Sequence, residues 1–488
     1  MKAVCRILMV TVAACLLGTN AIGQAGHHRP QEFRSFGPSA PMPANREPIT
    51  CSPAPCVLPP TQGSEGGAEV IDAPIAADPL NAMHLLLGSE DFNCGPSSFS
   101  GFHFSKDGGS TWGTHCLPVI SAPKLVYLPG GEPMVGYDSN GVAYIGDEYS
   151  DNGGQRYGLV ALEKSSDGFN WSNPGIALGG PNNHSEFVYA WLAVDASTRS
   201  PYANNLYVSA VALNEPRQNK NQVVVSHSSD SGATWSDVAL DPVQTSPAID
   251  RFTNLAVNSD GTVYATWMHC PGTGPHANCG HSTEYMLFSK SLDGGGTWSK
   301  PSVMTTAIDV PNACMCWPFG PIPNTDVYAN NIPVVGVDDS NGPYAGTLYV
   351  VAYSWTGIYM RVGVIRSTDG GNSWSKPVPV APPSANHDQF FPWLSVSSTG
   401  LVGVSWLDRR NDPANVNYQA FASISTDGGQ SFRSNVQLTS AFSNPNKSVG
   451  NMGSYTGNTW NGPDFVAAWM DSSNGVDMQD VVGGIRLH

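Results

Sequence analysis

Short stretches of alternating apolar and polar residues recur along the chain, each followed by a polar turn and a second apolar stretch. Examples are VGYDSNGVAYIG from Val135, LAVDASTRSPYANNLYVSA from Leu192, LAVNSDGTVYATW from Leu255, VGVDDSNGPYAGTLYVVAY from Val335 and LSVSSTGLVGVSW from Leu394. Their arms are rich in β-branched and aromatic residues, and their turns hold Asp, Asn, Ser and Gly, so each pair predicts an antiparallel hairpin. A second pattern lies between the hairpins. SKDGGSTW begins at Ser105, SSDGFNW at Ser165, SSDSGATW at Ser228, SLDGGGTW at Ser291, STDGGNSW at Ser367 and STDGGQSF at Ser425. The aspartates of these boxes, Asp107, Asp167, Asp230, Asp293, Asp369 and Asp427, are 60, 63, 63, 76 and 58 residues apart, which is the mark of a repeat architecture.

Each repeat reads as strand, short turn, strand, longer loop, strand, box, strand. Four antiparallel strands per repeat make the blade of a β-propeller, so the predicted fold is all-β. The boxes read as turn staples, because Ser and Asp side chains bond nearby amides, Gly supplies positive φ, and the closing Trp or Phe packs between sheets. After the sixth box come VGNMGSYTGN, PDFVAAWMDS and VVGGIRL, three strands without a box. Seven blades are expected, with the N-terminal segment lending the missing strand; six is the alternative. A closed ring leaves only short, protected sheet edges, and a monomer is expected.

The chain has 488 residues, with 52 Gly and 39 Pro, close to one residue in five, which excludes a mainly helical protein. Hydrophobic residues make up 41% and charged ones 13%, enough apolar surface for a packed body. The formal charge of −16 repels a polyanion, which excludes nucleic acid as a partner class. Lys2 and Arg6 precede an apolar run from Ile7 to Leu17 and small residues up to Gly23, so residues 1–23 read as a cleavable export signal and the location as secreted or periplasmic. No later stretch approaches the ~20 apolar residues of a membrane span. Residues 24–66 carry nine prolines and no apolar period and read as an arm or linker, with the propeller at 67–488.

Eight cysteines remain after the signal, an even number that predicts disulfides in an oxidising compartment. Cys94 with Cys116 and Cys270 with Cys279 would each close a local loop, while Cys314 and Cys316 call for partners elsewhere, with Cys51 and Cys56 as candidates among the 105 pairings eight cysteines allow. Phosphate-loop, dinucleotide and zinc-helix motifs are absent, as is a calcium loop of the EF-hand type; acidic groups gathered on one face leave Ca²⁺ open as a ligand.

Six boxes in a β-rich chain with an export signal resemble the sialidase superfamily of Asp-box propellers, over about residues 69–488. The resemblance implies an exo-α-sialidase type of glycoside hydrolase, with a tyrosine nucleophile activated by glutamate, an aspartic acid as general acid, and three arginines gripping the sugar carboxylate. These groups fall on the face formed by the starts of inner strands and the ends of second strands. That face collects Glu90, Asp91, Asp147, Glu148, Glu215, His269, Asp408, Arg409, Arg410 and Asp471 with Glu186, Tyr189, Arg251, Tyr328 and Tyr455. By the resemblance Tyr455 is the nucleophile, Asp147 or Glu148 the acid, and Arg251, Arg409 and Arg410 with Asp408 hold substrate. The family's Arg-Ile-Pro signature is missing, so one arginine has no counterpart. Two other functions fit the same face. One is a non-catalytic propeller that binds an extracellular glycan or protein, and the other a hydrolase of neutral polysaccharide using two carboxylates such as Asp147, Asp408 or Asp471.

Overall fold

The computed structural model describes residues 51, 53–123, 125–151, 158–180, 184–214, 217, 219–272, 283–311, 320–382, 387–432, 435–448 and 451–487. The export signal, the arm as far as residue 50, Glu215, Cys279, Cys314 and Cys316 lie outside them. Among the described residues there is no α-helix, only two single-turn 3₁₀ segments. The strands form seven antiparallel sheets. In chain order, the inner strands of blades 1 to 7 are Ile75–Ala77, Met134–Tyr137, Ser185–Val194, Ile249–Val257, Val334–Val337, Gln389–Val396 and Gly457–Asn461. Neighbouring inner strands touch all round the ring, and the seventh meets the first, which closes a seven-bladed propeller as expected.

The strand that completes blade 7 is Cys56–Gln62. It pairs antiparallel with Gln479–Arg486, from Cys56 opposite Arg486 to Gln62 opposite Val481. The chain therefore joins the propeller inside the stretch read as the proline-rich arm. Pro59 and Pro60 coincide with a register shift between Leu58 and Thr61, and an outermost strand tolerates proline because one of its edges needs no ladder donor.

The inner strands converge on the axis, so side chains there are short of room. Gly336 in blade 5 is a direct consequence: a Cβ at that position would lie 2.6 Å from the Leu394 side chain of blade 6. Away from the axis, large apolar side chains fill the widening gap between sheets, with Trp267, Trp406, Phe390 and Phe465 all fully buried.

The boxes staple the turn between third and outer strands. In blade 1, Ser105 Oγ accepts the Gly109 amide at 2.8 Å and donates to Asp107 Oδ1 at 2.9 Å. Asp107 also accepts the Thr111 amide at 2.8 Å and hydroxyl at 2.6 Å, and Trp112 Nε1 donates to Gly109 O at 3.1 Å. The same set recurs at Ser228 to Trp235 and at Ser291 to Trp298. These side-chain bonds close within the turn, which matches its reading as a mechanical element.

The disulfides match the sequence expectation in one case and correct it in another. Cys94 bonds Cys116. Cys51 bonds Cys56, not Cys314 or Cys316, because the intervening turn brings their Cα atoms to 5.9 Å, within disulfide reach. Cys270 is also in a disulfide.

Removing residues 1–62 tests the closure. The deletion uncovers the whole edge of Gln479–Arg486, and the expected result is loss of a cooperative melt with aggregation on size-exclusion chromatography. A monomer melting like the full chain would show that blade 7 closes without this strand.

Candidate active site

At the end of the ring opposite the boxes, inner strands depart from regular geometry in the same way. Asp72 (φ 68°), Tyr189 (57°), Phe252 (56°) and Phe391 (47°) take the left-handed backbone conformation that non-glycine residues rarely adopt. In blades 3, 4 and 6 these residues coincide with register shifts, between Val188 and Trp191, Arg251 and Asn254, and Phe390 and Trp393. The next blade supports the strained peptides: Thr253 Oγ1 donates to Tyr189 O at 2.7 Å, and Thr456 Oγ1 donates to Phe391 O at 3.0 Å. These bulges swing side chains toward the axis. Trp191 and Trp393 meet there with ring centroids 4.8 Å apart, and Tyr455 packs against both at 5.6 and 6.3 Å.

Blade 2 solves the same crowding differently. Its inner strand is broken into Leu125–Pro129 and Met134–Tyr137, and the intervening Gly130-Gly131-Glu132-Pro133 turns Glu132 toward the axis. Gly131 has φ 92°, and a Cβ on it would lie 2.7 Å from the Glu90 side chain, so the turn requires glycine on both counts.

Around this turn lies a cluster of carboxyl groups. Asp72 Oδ1 accepts the Tyr455 amide at 2.7 Å and the Ser454 amide. Glu132 Oε1 accepts Ser454 Oγ at 3.4 Å, and Ser454 Oγ in turn accepts Asn330 Nδ2 at 2.8 Å. The Glu132 carboxyl also faces the Tyr455 phenol. Glu148, 7% exposed, accepts the Ala190 amide at 2.7 Å through Oε1. Asp147, fully buried, accepts the amides of Gly131, Glu132 and Glu148 and the Ser100 hydroxyl. Glu132, Tyr189 and Trp191 are half-buried and form the edge of the cluster, with Glu132 Oε2 itself buried.

The proton affinities follow from burial and like charge. Burial holds Asp72, Glu90, Glu132 and Glu148 well above the ordinary carboxyl range, and neighbouring carboxyls push each further up. Burial pushes Asp147 up to about 7 against its four hydrogen bonds, which favour the charged form. For Glu132 the Tyr455 and Ser454 hydroxyls pull the other way. For Glu148, Glu132, Asp147 and Glu186 all favour the protonated form. Tyr455, 1% exposed, is driven up by burial and then by Glu132, Glu148 and Asp72.

The structure therefore brings Tyr455, Asp147 and Glu148 together, with Glu90, Glu186 and Tyr189 beside them, and sets the candidate arginines and Asp408 apart. Arg251 is buried in blade 4 and bound by Glu284 and, at 2.9 Å, by Asp309. It borders the cluster through Tyr189, whose phenol lies within the influence of Arg251, Glu132 and Glu148. Arg409 is buried in blade 6, donating to Pro323 O at 2.7 Å and Asn415 O at 3.0 Å beside Asp388. Arg410 pairs with Asp408 at 2.6 Å and lies over the Phe421 ring, and Asp408 also accepts Trp406 Nε1 at 2.8 Å. Asp408, Arg409 and Arg410 thus brace the top of blade 6 and do not converge on Tyr455. Asp147 is fully buried with both carboxyl oxygens hydrogen-bonded. Among the described residues no group of three or more His, Cys, Asp or Glu is arranged to hold a metal ion.

No family model and no curated protein matches this chain. Among solved structures it is similar to an intramolecular trans-sialidase from Ruminococcus gnavus, at 13% identity and a TM-score of 0.43 over 72% of this chain and 92% of that one. It is also similar to an α-L-arabinanase of Penicillium chrysogenum (14%, TM-score 0.45, 72% and 92%) and an α-L-arabinofuranosidase of Fusarium graminearum (13%, TM-score 0.42, 73% and 92%). Residue roles rest on this chain's own geometry.

Asp72, Glu132, Ser454 and Trp191 were not legible as site residues in the sequence. One signal for Glu132 was present: LPGGEP places two glycines between prolines where an inner strand should run, and a carboxylate sits in the break.

The cluster makes stability depend on pH with a definite sign. Its carboxyls keep protons in the folded state that the unfolded chain releases above about pH 4, so stability falls as pH rises from there through about 7. The box aspartates act oppositely: hydrogen bonds hold Asp230 and Asp369 down at about 2, and that stabilisation is lost as pH falls below about 4. Thermal melts followed by circular dichroism should therefore show a higher midpoint at pH 5 than at pH 8. A midpoint that is flat or rising over that range would contradict the proton-holding cluster.

Proposed function

We propose that this protein is a glycoside hydrolase that cleaves neutral glycosidic bonds with Glu132 and Glu148 as its carboxyl pair. The observation that supports this reading most is their placement: two carboxyls from facing segments of blade 2, joined through one buried aspartate, in a cation-poor cluster. Crowded carboxyls cannot all ionise, so one keeps its proton while another is charged, which is what acid-assisted glycoside cleavage needs. Glu148 is the acid: it lies deeper, and burial and three carboxyls favour its protonated form against the Ala190 amide, which favours the charged one. It gives its proton to the leaving glycosidic oxygen. Glu132 is the partner assigned to work as the carboxylate: burial and Asp72 hold its proton affinity up too, but the hydroxyls of Ser454 and Tyr455 act against that rise. As nucleophile or base it attacks, or activates water against, the anomeric carbon.

The acidity of the site sets the substrate class. A sugar carboxylate would meet Asp72, Glu132 and Glu148, while the three candidate arginines are committed to Glu284, Asp309, Asp388 and Asp408. Half-buried Trp191 and Tyr189 offer aromatic faces for a neutral sugar ring. The disulfides support work in an oxidising compartment, and among the described residues no helix is long and apolar enough to cross a membrane.

One observation favours a second reading. The Tyr455 phenol faces Glu132, as a tyrosine nucleophile and its activating glutamate would. Aryl glycosides of neutral pyranoses and furanoses, tested beside an aryl sialoside, separate the two. The expected outcome is turnover of a neutral glycoside, lowered about 10²- to 10⁴-fold in Glu132→Gln and in Glu148→Gln and little changed in Tyr455→Phe. Turnover of the sialoside alone, lost in Tyr455→Phe, would establish the tyrosine reading. Binding without turnover on a glycan array would establish a recognition propeller.

A further inference from the structure

We infer that Asp147 is a positioning residue that sets the separation of Glu132 and Glu148 by binding the backbone amides of both; this rests on the carboxyl-pair reading above. The register of blade 2 shows why one is needed. The inner and second strands pair at Pro129 opposite Tyr149 and again at Met134 opposite Gly146. Between these points four residues, 130–133, face only two, Asp147 and Glu148, so ordinary ladder bonds cannot hold the opening. Gly130 N donates to Glu148 O at 2.7 Å. The remaining amides of the turn go to the Asp147 side chain.

Asp147 Oδ1 accepts Glu132 N at 2.9 Å and Glu148 N at 2.6 Å, while Oδ2 accepts Gly131 N at 3.2 Å and the Ser100 hydroxyl. One oxygen thus ties the main chain at both carboxyl-bearing residues, and the other fixes the glycine that aims Glu132. Only a carboxylate can accept on both sides. An asparagine would present an NH₂ group to one set of donors. The ionisable groups acting on or from Asp147 are Asp72, Glu90, Glu132, Glu148 and Tyr149, with the Ser100 hydroxyl as a neutral donor. When ionised, Asp147 favours proton retention on both Glu132 and Glu148.

The test uses the full-length protein and the neutral aryl glycoside that it turns over. Asp147→Asn is expected to lower kcat by about 10²-fold with KM within about threefold, because a misplaced pair still binds sugar but no longer straddles the bond. Loss of the charge beside Glu148 should also move the basic limb of the pH profile to lower pH. Ser100→Ala, which removes one donor and leaves the carboxylate, should lower kcat in the same direction by a smaller factor, and it decides the matter if Asp147→Asn does not fold. A role confined to stability would lower the melting midpoint while leaving kcat and the pH limbs of the folded protein unchanged; that result in the folded variants would overturn the inference. Glu132→Gln and Glu148→Gln run in parallel keep the two claims apart. If they are inactive while the Asp147 and Ser100 variants behave as wild type, positioning falls alone. If they are fully active, the carboxyl pair itself falls.

Discussion

Everything at the centre of this molecule depends on the closure of the ring, in which Cys56–Gln62 pairs with Gln479–Arg486 and holds the two ends of the chain in one sheet. The first and last blades are held together at that strand and by bonds between their inner parts, such as Ala73 N to Tyr455 O at 3.0 Å and the Tyr455 amide to Asp72 at 2.7 Å. Closure forces seven inner strands into a narrow circle. That circle explains Gly336 under Leu394, the aromatic meeting of Trp191, Trp393 and Tyr455, and the bulges that relieve the crowding at one end. The strain of left-handed Tyr189 and Phe391 is maintained because hydrogen bonds from adjacent blades over-determine those peptides.

The same crowding creates the chemistry. Where strand ends converge, the side chains of blades 1, 2, 3 and 7 share one small volume, and the chain has put carboxyls there with hydroxyls and amides for company. Burying ionised carboxylates together is unfavourable enough that protons stay on most of them. The cluster therefore behaves as a proton store, whose members are distinguished by their hydrogen bonds: amides on Asp147, hydroxyls on Glu132, a single amide on Glu148. The arginines are kept out of it by carboxylates of their own. Arg251 and Arg409 are each buried whole, and a buried guanidinium with carboxylates and carbonyls against it contributes to local architecture.

Regular repetition made much of the fold legible. Six boxes at near-constant spacing, paired hairpin arms and a last repeat short of one strand led to seven blades and to an N-terminal strand completing the seventh. Local patterns carried that information because a blade is a local object: its strands are consecutive, its turns are short, and its boxes bond within themselves. The Cys94–Cys116 bridge, from the 3₁₀ turn Phe92–Cys94 to the outer strand Gly113–Cys116 of the same blade, belongs to the same category. The joining point of the N-terminal strand was not legible, since proline-rich Cys56–Gln62 looks like linker until Gln479–Arg486 supplies its partner.

Sequence alone determined the all-β blades, the staple turns, the acidic balance and the face on which ionisable residues would gather, since each follows from short-range spacing or composition. Only the tertiary structure decided which of those residues meet. Tyr455, Asp147 and Glu148 came together, Asp408, Arg409 and Arg410 turned to one another, and Glu132, hidden in a glycine break, arrived at the centre. The reason is geometric: residues more than 300 positions apart, such as Glu132 and Ser454, become neighbours only through closure of the ring, and no local pattern records that distance.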